Sequence, residues 1–380
     1  MRNVFIVELA KFLPNSPVTN DEMESKLGLI GNKTSRVKSL ILKQNKIKTR
    51  YYVINEDGNI THTNAQLTAR AIEKLFKTED YVLSDIQLLC CGTSSPDQMM
   101  PSHASMVHGE LLHAPVMEIM SANGVCCTST AALKYGYMSI LSGCTSNAIC
   151  TGSELLSPLL TAKNFEAEYE KMGEIKKTPM IAFEKDFLRF MLSDGAGACL
   201  LSDTPNKNRL SLKIEWIESV SYANELKSCM YQGAERNKEG DLISWKLFGV
   251  NDWLNTSIFS IKQDTRLLGK HCIVKAVEQI VQSLVKHHIT SKEIDYILPH
   301  VSSMYFYDQI KTGLAEAGSP FTDEKWFLNL PDVGNVGSAS IYLMLEQLFY
   351  SGRLKPGQKI LICNPESGRF TFSTIFLTVV

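Results

Sequence analysis

Two adjacent thiols follow an Asn-Gly turn and open an apolar segment of helical length. Cys126 and Cys127 lie in VMEIMSANGVCCTSTAALKYGYMSILSG (116–143), which predicts a strand, a turn and a helix closed by Ser-Gly. A thiol at a helix N-terminus faces unpaired backbone N–H groups and the positive end of the helix dipole, which favour the thiolate. A thiolate can take an acyl group from a thioester, and the same N–H groups can stabilise the oxyanion that forms. Successive helical residues point about 100° apart, so only one of the two thiols can face a pocket.

Two further side chains occupy positions suited to the same chemistry. His300 ends the apolar run IDYILPH, so its imidazole should emerge at the carboxyl end of a parallel strand, where open α/β sheets bind ligands. Asn335 stands in DVGNVGSAS, a Gly-flanked turn before a second apolar helix. Taken singly, each residue has an ordinary structural explanation, as a buried thiol, a structural histidine or an N-cap.

An internal repeat relates these positions to each other. Four elements recur in the same order: an apolar strand with a small-residue loop, a helix, a strand-turn-helix unit and a last strand with a turn. The matched segments are 83–95 with 291–303, 101–114 with 304–318, 116–143 with 325–352, and 147–154 with 359–367. Aligning Ser142-Gly143 with Ser351-Gly352 places Cys126 opposite Asn335. The alignment therefore selects Cys126 rather than Cys127 as the nucleophile.

The repeat predicts an α/β protein made of two similar halves, residues 1–205 and 206–380. Alternating strands and helices with continuous apolar strands indicate mostly parallel sheets covered by helices. The two central helices, which are apolar nearly all round, should be buried between sheets. Residues 156–192 form an insertion suited to a cap over a substrate channel, or to a solvated connecting arm. Residues 251–264 could line the same channel.

The composition is that of a globular enzyme. The chain has 380 residues, of which 44% are hydrophobic and 21% charged, and its formal net charge is −1. This balance gives no reason to expect nucleic acid or an anionic membrane as a partner. We expect a cytoplasmic protein with reduced thiols, because the N-terminus lacks a secretory pattern and no stretch has the ~20 apolar residues of a membrane helix. The cysteine spacing predicts no metal site.

The motifs together resemble the β-ketoacyl synthase III group of the thiolase superfamily. GVCCTSTAALKYG is similar to its nucleophile helix, ILPHVSS to its histidine loop and DVGNVGSASI to its GNxxSAS segment; SDGAGACLL (193–201) and IKTRYYV (47–53) resemble two further family segments. The resemblance implies a duplicated thiolase fold in five αβαβα layers, and a homodimer. It also implies that Cys126 accepts an acyl group and that His300 and Asn335 donate hydrogen bonds to an enolate. Acyl groups would arrive as coenzyme A or acyl-carrier-protein thioesters, with no resident cofactor.

Three departures from the chain-initiating pattern narrow the implied reaction. Thr128 stands where family members usually carry Gly, His300 is followed by Val-Ser-Ser rather than Gln-Ala-Asn, and NPESGRFTFS replaces a Gly-rich turn. The whole-chain pattern looks most like DarB-type ketosynthases of dialkylresorcinol biosynthesis. That resemblance implies a β-ketoacyl thioester condensing with an α,β-unsaturated acyl thioester, by Claisen and Michael steps, to a 1,3-cyclohexanedione.

Three alternatives remain open from the sequence. The first is a β-ketoacyl carrier-protein synthase III that uses a malonyl thioester. The second is a Cys-His-Asn hydrolase of papain-like type, although such hydrolases lack an internal repeat. The third is a catalytically idle thiolase-fold subunit that only binds a partner.

Overall fold

The computed structural model describes residues 2–77, 80–167, 169–170 and 186–380. Its strands are β1 (Phe5–Phe12), β2 (Val18–Thr19), β3 (Thr49–Arg50), β4 (Leu88–Thr93), β5 (Glu118–Asn123), β6 (Asn147–Glu154), β7 (Gly195–Ser202), β8 (Leu212–Ser221), β9 (Met230–Tyr231), β10 (Ala234–Arg236), β11 (Leu242–Ser244), β12 (Lys262–Gln263), β13 (Tyr296–Pro299), β14 (Lys359–Pro365) and β15 (Thr371–Val379). Its α-helices are α1 (Met23–Leu27), α2 (Lys38–Asn45), α3 (Asn64–Glu73), α4 (His103–Glu110), α5 (Thr128–Ser142), α6 (Val250–Asn255), α7 (Thr265–Lys286), α8 (Met304–Glu316), α9 (Leu330–Val333) and α10 (Ser340–Phe349).

One mixed sheet of nine strands runs through the molecule in the order β13-β14-β15-β8-β1-β7-β6-β4-β5. The parallel pairs are β4 with β5, β4 with β6, and β13 with β14, whereas the remaining pairs are antiparallel. The expectation of mostly parallel sheets was therefore wrong. The physical reason is that β15 follows β14 after a short turn and pairs with it antiparallel, and β7 likewise pairs antiparallel with β6.

The strand order shows the duplication directly. From the centre outwards, one side reads β1-β7-β6-β4-β5 and the other β8-β15-β14-β13, followed by a parallel bridge between Ile297 and Trp326 at the place of the fifth strand. The helices closed by Ser-Gly end alike, because Gly143 and Gly352 both have positive φ, at 83° and 73°. The division predicted at residue 205 falls in the connection between β7 and β8. Since β1 pairs with β8, both halves share one sheet.

The helices complete five layers around this sheet. On one outer face α3 contacts β1, β6 and β7, and α4 contacts β4 and β5; on the other, α7 contacts β14 and β15 and packs against α8. Between the two sheet halves lie α5, which contacts β4 to β7, and α10, which contacts β1, β7 and β13. The expected burial of the central helices is most complete in α10, whose residues from Ser340 to Leu345 are all buried. No helix in the described ranges is long and apolar enough to span a bilayer.

The start of α5 packs so closely on β4 that no side chain fits between them. A Cβ atom at Gly92 of β4 would lie 2.5 Å from the backbone carbonyl of Thr128, the first residue of α5. Glycine is therefore required at this position for steric reasons. It sets how near the turn that carries Cys126 comes to the sheet.

We predict that Gly92→Ala lowers the free energy of unfolding by about 1–3 kcal/mol, because the added methyl group must displace helix backbone. Urea denaturation measures the change. The matched control is Gly109→Ala in α4, where an added Cβ meets no atom within 4 Å and where alanine is the better helix former. Equal stability of the two variants would contradict the close-packing argument.

Candidate active site

Cys126 lies on the turn between β5 and α5, two residues before the helix begins. It is 8% exposed and forms part of the wall of two cavities, one of about 660 Å³ and one of about 30 Å³. Asn335 is the counterpart of Cys126 in the repeat and also lines both cavities. The structure thus brings together the two positions that the repeat alignment paired.

The neighbouring thiol faces away from both cavities. The Cys127 Sγ donates a hydrogen bond to the Asn364 carbonyl oxygen at 3.0 Å, and it also lies 3.5 Å from the Ser373 hydroxyl. These partners belong to β14 and β15 of the second half. Cys127 therefore joins the two halves, and the thiol open to a substrate is that of Cys126.

The electrostatic expectation for Cys126 was wrong. Burial, and then the negative charge of Glu366, raise the pKa of the Cys126 thiol well above its usual value, so the thiol and not the thiolate is the resting form. The Glu366 carboxylate already accepts the N–H groups of Cys127, at 3.0 Å, and Val125, at 3.3 Å. These two groups are thus not free to stabilise an oxyanion. The N–H of Cys126 itself enters no hydrogen bond among the described residues.

His300 directly follows β13, as predicted, and lines the smaller cavity with Cys126 and Asn335. Its backbone N–H donates to the Cys363 carbonyl oxygen at 2.8 Å, which holds the residue beside β14. The side chain is 4% exposed, and burial lowers the pKa of His300 to about 4. The imidazole is therefore neutral at physiological pH and keeps one N–H to donate.

Asn335 is held in place through both its backbone and its side chain. Its backbone N–H donates to Met191 and its carbonyl oxygen accepts from Ser193, at 3.0 and 2.9 Å. The side-chain Oδ1 accepts the N–H of Gly337 at 2.9 Å. Because the oxygen is occupied, the amide NH₂ is the end of the side chain that remains for a ligand.

Sequence reasoning missed two buried carboxylates beside this site, Glu154 and Glu366. Glu154, at the end of β6, accepts hydrogen bonds from Ser94, Ser95 and the N–H of Ser338. It thereby ties the first half to the turn that carries Asn335. Burial raises the pKa of both carboxyl groups. The departure NPESGRFTFS was the only available signal for Glu366, and Glu154 had none.

The larger cavity extends from Cys126 beneath the two segments predicted to line a channel. Leu156, Pro158, Leu159 and Leu192 of the 156–192 insertion contribute to its wall, while residues 168 and 171–185 lie outside the described residues. Phe259 and Ile261 come from the 251–264 segment, and Gln263 lines the smaller cavity instead. Helix α6, which begins one residue before the 251–264 segment, takes no part in either described wall and leaves Val250 and Leu254 exposed.

The chain is similar to known proteins over nearly its whole length. Residues 284–376 match the family model of the 3-oxoacyl-[acyl-carrier-protein] synthase III C-terminal region. A β-ketoacyl-[acyl-carrier-protein] synthase III from Clostridium perfringens is 26% identical over 365 residues, covering 95% of each chain, and one from Campylobacter fetus is 24% identical, covering 99% of this chain and 98% of its own.

Solved structures agree on the fold. The tetronic acid condensing enzyme AbyA1 superposes with a TM-score of 0.78 at 18% identity and 99% coverage of both chains. OleA from Xanthomonas campestris gives 0.73 at 20% identity, with 99% coverage of both chains. The chain therefore has the thiolase fold of these enzymes and is similar over nearly its whole length to β-ketoacyl-[acyl-carrier-protein] synthases III. This fold speaks against the papain-like alternative.

The lowered pKa of His300 predicts how the free energy of unfolding changes at acid pH. Between pH 6.5 and about 4 the unfolded chain binds a proton at this residue and the folded chain does not. The free energy of unfolding should therefore fall as pH falls through this window, by up to about 3 kcal/mol from His300. Urea denaturation of wild type and His300→Asn at several pH values checks this. The variant should show a shallower decline, and identical pH slopes would contradict burial of a neutral imidazole.

Proposed function

We propose that this protein is a ketosynthase in which Cys126 accepts an acyl group from a thioester and a second thioester then condenses with it. The observation that carries the proposal is the shared wall of the two cavities. Cys126 and Asn335 border both, and the neutral His300 borders the smaller one. This arrangement provides a nucleophile and two hydrogen-bond donors at one point, as a two-stage condensation requires.

Cys126, His300 and Asn335 would have different roles in the two stages of the condensation. In the first stage the Cys126 sulfur attacks the thioester carbonyl, and the free N–H of Cys126 can donate to the oxyanion. In the second stage an enolate of the other substrate attacks the acyl carbon, a carbon–carbon bond forms, and the bond between the acyl carbon and the Cys126 sulfur breaks. The His300 N–H and the Asn335 NH₂ would donate to the enolate oxygen, where negative charge develops. A neutral imidazole suits this role because its N–H can donate a hydrogen bond to the enolate oxygen without protonating it. The reaction as proposed needs no resident cofactor.

For the substrates, we propose a β-ketoacyl thioester and an α,β-unsaturated acyl thioester, joined by Claisen and Michael steps to a 1,3-cyclohexanedione. The charge of the site supports this pair over a malonyl thioester. The described walls of both cavities contain no Lys or Arg, whereas Asp97 lines the larger one and Glu154 and Glu366 lie behind the nucleophile. A malonyl carboxylate would enter this negative, poorly solvated site without a cation to pair with it. A β-ketoacyl carbon, acidified by two carbonyls, forms an enolate without decarboxylation.

One of the two alternatives keeps specific support. A malonyl-using β-ketoacyl carrier-protein synthase III is favoured by the names of the curated relatives. An idle binding subunit is disfavoured because Cys126, His300 and Asn335 all border the same cavity. An acyl carrier protein remains a candidate donor under either condensing reaction.

The product assay separates these possibilities. We expect the wild type, given β-ketoacyl- and enoyl-coenzyme A of matched chain lengths, to form a cyclic dione without malonyl thioester, as detected by mass spectrometry. Cys126→Ala should abolish the product and the covalent acyl adduct on the intact protein. Cys127→Ala is the matched control and should still be acylated, because its thiol points away from the cavities.

Strict dependence on a malonyl thioester would contradict the proposed substrates and favour the synthase III alternative. Acylation that survives Cys126→Ala but is lost in Cys127→Ala would contradict the assignment of the nucleophile. A wild type that forms no adduct with any thioester, coenzyme A or carrier-protein bound, would favour the idle subunit.

We also propose that the protein forms a homodimer through the free edge of β5. This strand lies at the edge of the described sheet, so one row of its backbone N–H and C=O groups has no partner strand there. Such an edge can pair with a strand of another chain. Large apolar side chains lie exposed beside it, including Leu112, Val116 and Met138. The first two precede the strand, and Met138 lies on α5, which packs against it.

Light scattering should therefore give twice the 42.5 kDa chain mass, and Val116→Asp should shift the protein towards monomer by placing charge in the apolar contact. The control is Val274→Asp on α7, another exposed valine far from β5. A wild type that is monomeric at micromolar concentration would refute the edge-strand contact.

A further inference from the structure

Glu366 is a buried carboxylate placed against the nucleophile turn. It lies between β14 and β15 and is 7% exposed. The Oε2 atom accepts the N–H groups of Val125 and Cys127, the residues on either side of Cys126. Among the described residues no cation compensates its charge; these two N–H groups are its stabilising contacts. Burial of a carboxylate without a paired cation lowers the stability of the fold, so its presence here calls for an explanation.

The surrounding chain is shaped to admit this side chain. A Cβ atom at Gly368 would lie 3.1 Å from Glu366 Oε1 and 2.8 Å from a Val125 methyl group. Glycine at 368 therefore lets the β14–β15 turn close over the nucleophile turn. The backbone N–H of Glu366 donates to the Thr371 carbonyl oxygen at 2.9 Å, which keeps the turn tight. The position of the carboxylate thus follows from the backbone rather than from a flexible side chain.

Acyl transfer needs a proton acceptor that the predicted triad does not supply. The Cys126 thiol must lose its proton to attack, and the titratable groups that act on it are Glu366, Cys127, Glu154 and Cys272, all of which oppose a negative charge. His300, with a pKa of about 4, is a weak base. Burial raises the pKa of the Glu366 carboxyl group, which makes its carboxylate a better proton acceptor than an exposed one. The negative charge of Glu366 opposes a Cys126 thiolate, so transfer of the thiol proton to Glu366 would remove that repulsion.

We propose that Glu366 is the base that accepts the Cys126 thiol proton during acyl transfer, an inference that rests on the proposed function. The S–H bond breaks and an O–H bond forms at Glu366, while the sulfur bonds to the carbonyl carbon of the thioester. The carbon–sulfur bond of the incoming thioester then breaks. The departing thiolate takes the proton from Glu366, which returns the carboxylate to its starting state.

The test compares Glu366→Gln with Arg369→Gln, an exposed residue of the same turn. Glutamine keeps an oxygen that can accept the Val125 and Cys127 N–H groups but cannot take a proton. Intact-protein mass spectrometry measures the rate at which acetoacetyl-coenzyme A acylates Cys126. We expect this rate to fall about a hundredfold at pH 7 in Glu366→Gln. The wild-type rate should fall as pH drops through the pKa of Glu366, and the variant should lack this acid limb. Arg369→Gln should behave as wild type in both respects.

A second reaction separates a base from a structural cap. Iodoacetamide requires only the thiolate, so removal of the neighbouring negative charge should make alkylation of Cys126 faster in Glu366→Gln at pH 7. If Glu366 is the base, we expect Glu366→Gln to have a lower rate of acylation and a higher rate of alkylation than the wild type. If Glu366 served only as a cap, its loss would move both rates in the same direction.

Unchanged alkylation in Glu366→Gln, or acylation at the wild-type rate, would overturn the proposal. The alkylation rate can be measured even if no thioester acylates the wild type. A wrong proposed function would therefore give no acylation, whereas a wrong role for Glu366 would leave the alkylation rate unchanged in Glu366→Gln.

Discussion

The start of α5 is bound to the end of β14 by hydrogen bonds that join the two halves of the molecule at its site. Glu366 accepts the N–H groups on either side of Cys126, and the Asn364 side chain donates to the Cys126 carbonyl oxygen and the Thr130 hydroxyl, both at 3.0 Å. The Cys127 thiol donates to the Asn364 carbonyl oxygen. The nucleophile turn is thus held by the opposite half of the repeat, and its sulfur position depends on how the halves pack.

Burial then sets the protonation states of the site. It raises the pKa of Cys126, Glu154 and Glu366 and lowers that of His300. Each shift favours the neutral form, because a charge in this poorly solvated region lacks both water and a cation. The Cys126 thiol and the His300 imidazole are therefore neutral at rest. Under the proposed function, acyl transfer must move a proton away from Cys126, and hydrogen bonds must stabilise charge that develops only transiently.

Likeness to β-ketoacyl synthase III spans the chain, but the local departures lie where substrates would bind. Thr128 donates its hydroxyl proton to the Val125 carbonyl oxygen at 2.8 Å, so it closes the nucleophile turn where glycine would leave it open. The Thr128 methyl group would lie 3.1 Å from a Cβ at Gly124, so a side chain at position 124 would have to displace it slightly. The segment after Asn364 brings in Glu366 in place of a Gly-rich turn. These changes alter the charge and shape of the site while the strand order of the fold is retained.

The duplication, the pairing of Cys126 with Asn335 and the placement of His300 at a strand end could be predicted from the amino-acid sequence. These features are periodic or local, so apolar runs, turn residues and matched helix ends reveal them. Tertiary structure alone decided that most central strand pairs are antiparallel, that Cys126 rests as a thiol, and that Glu366 contacts its turn. The Cys127–Glu366 hydrogen bond joins residues 239 positions apart. The desolvation of a side chain depends on every group that packs around it. A local sequence pattern therefore predicts neither these pKa shifts nor a hydrogen bond between such distant residues.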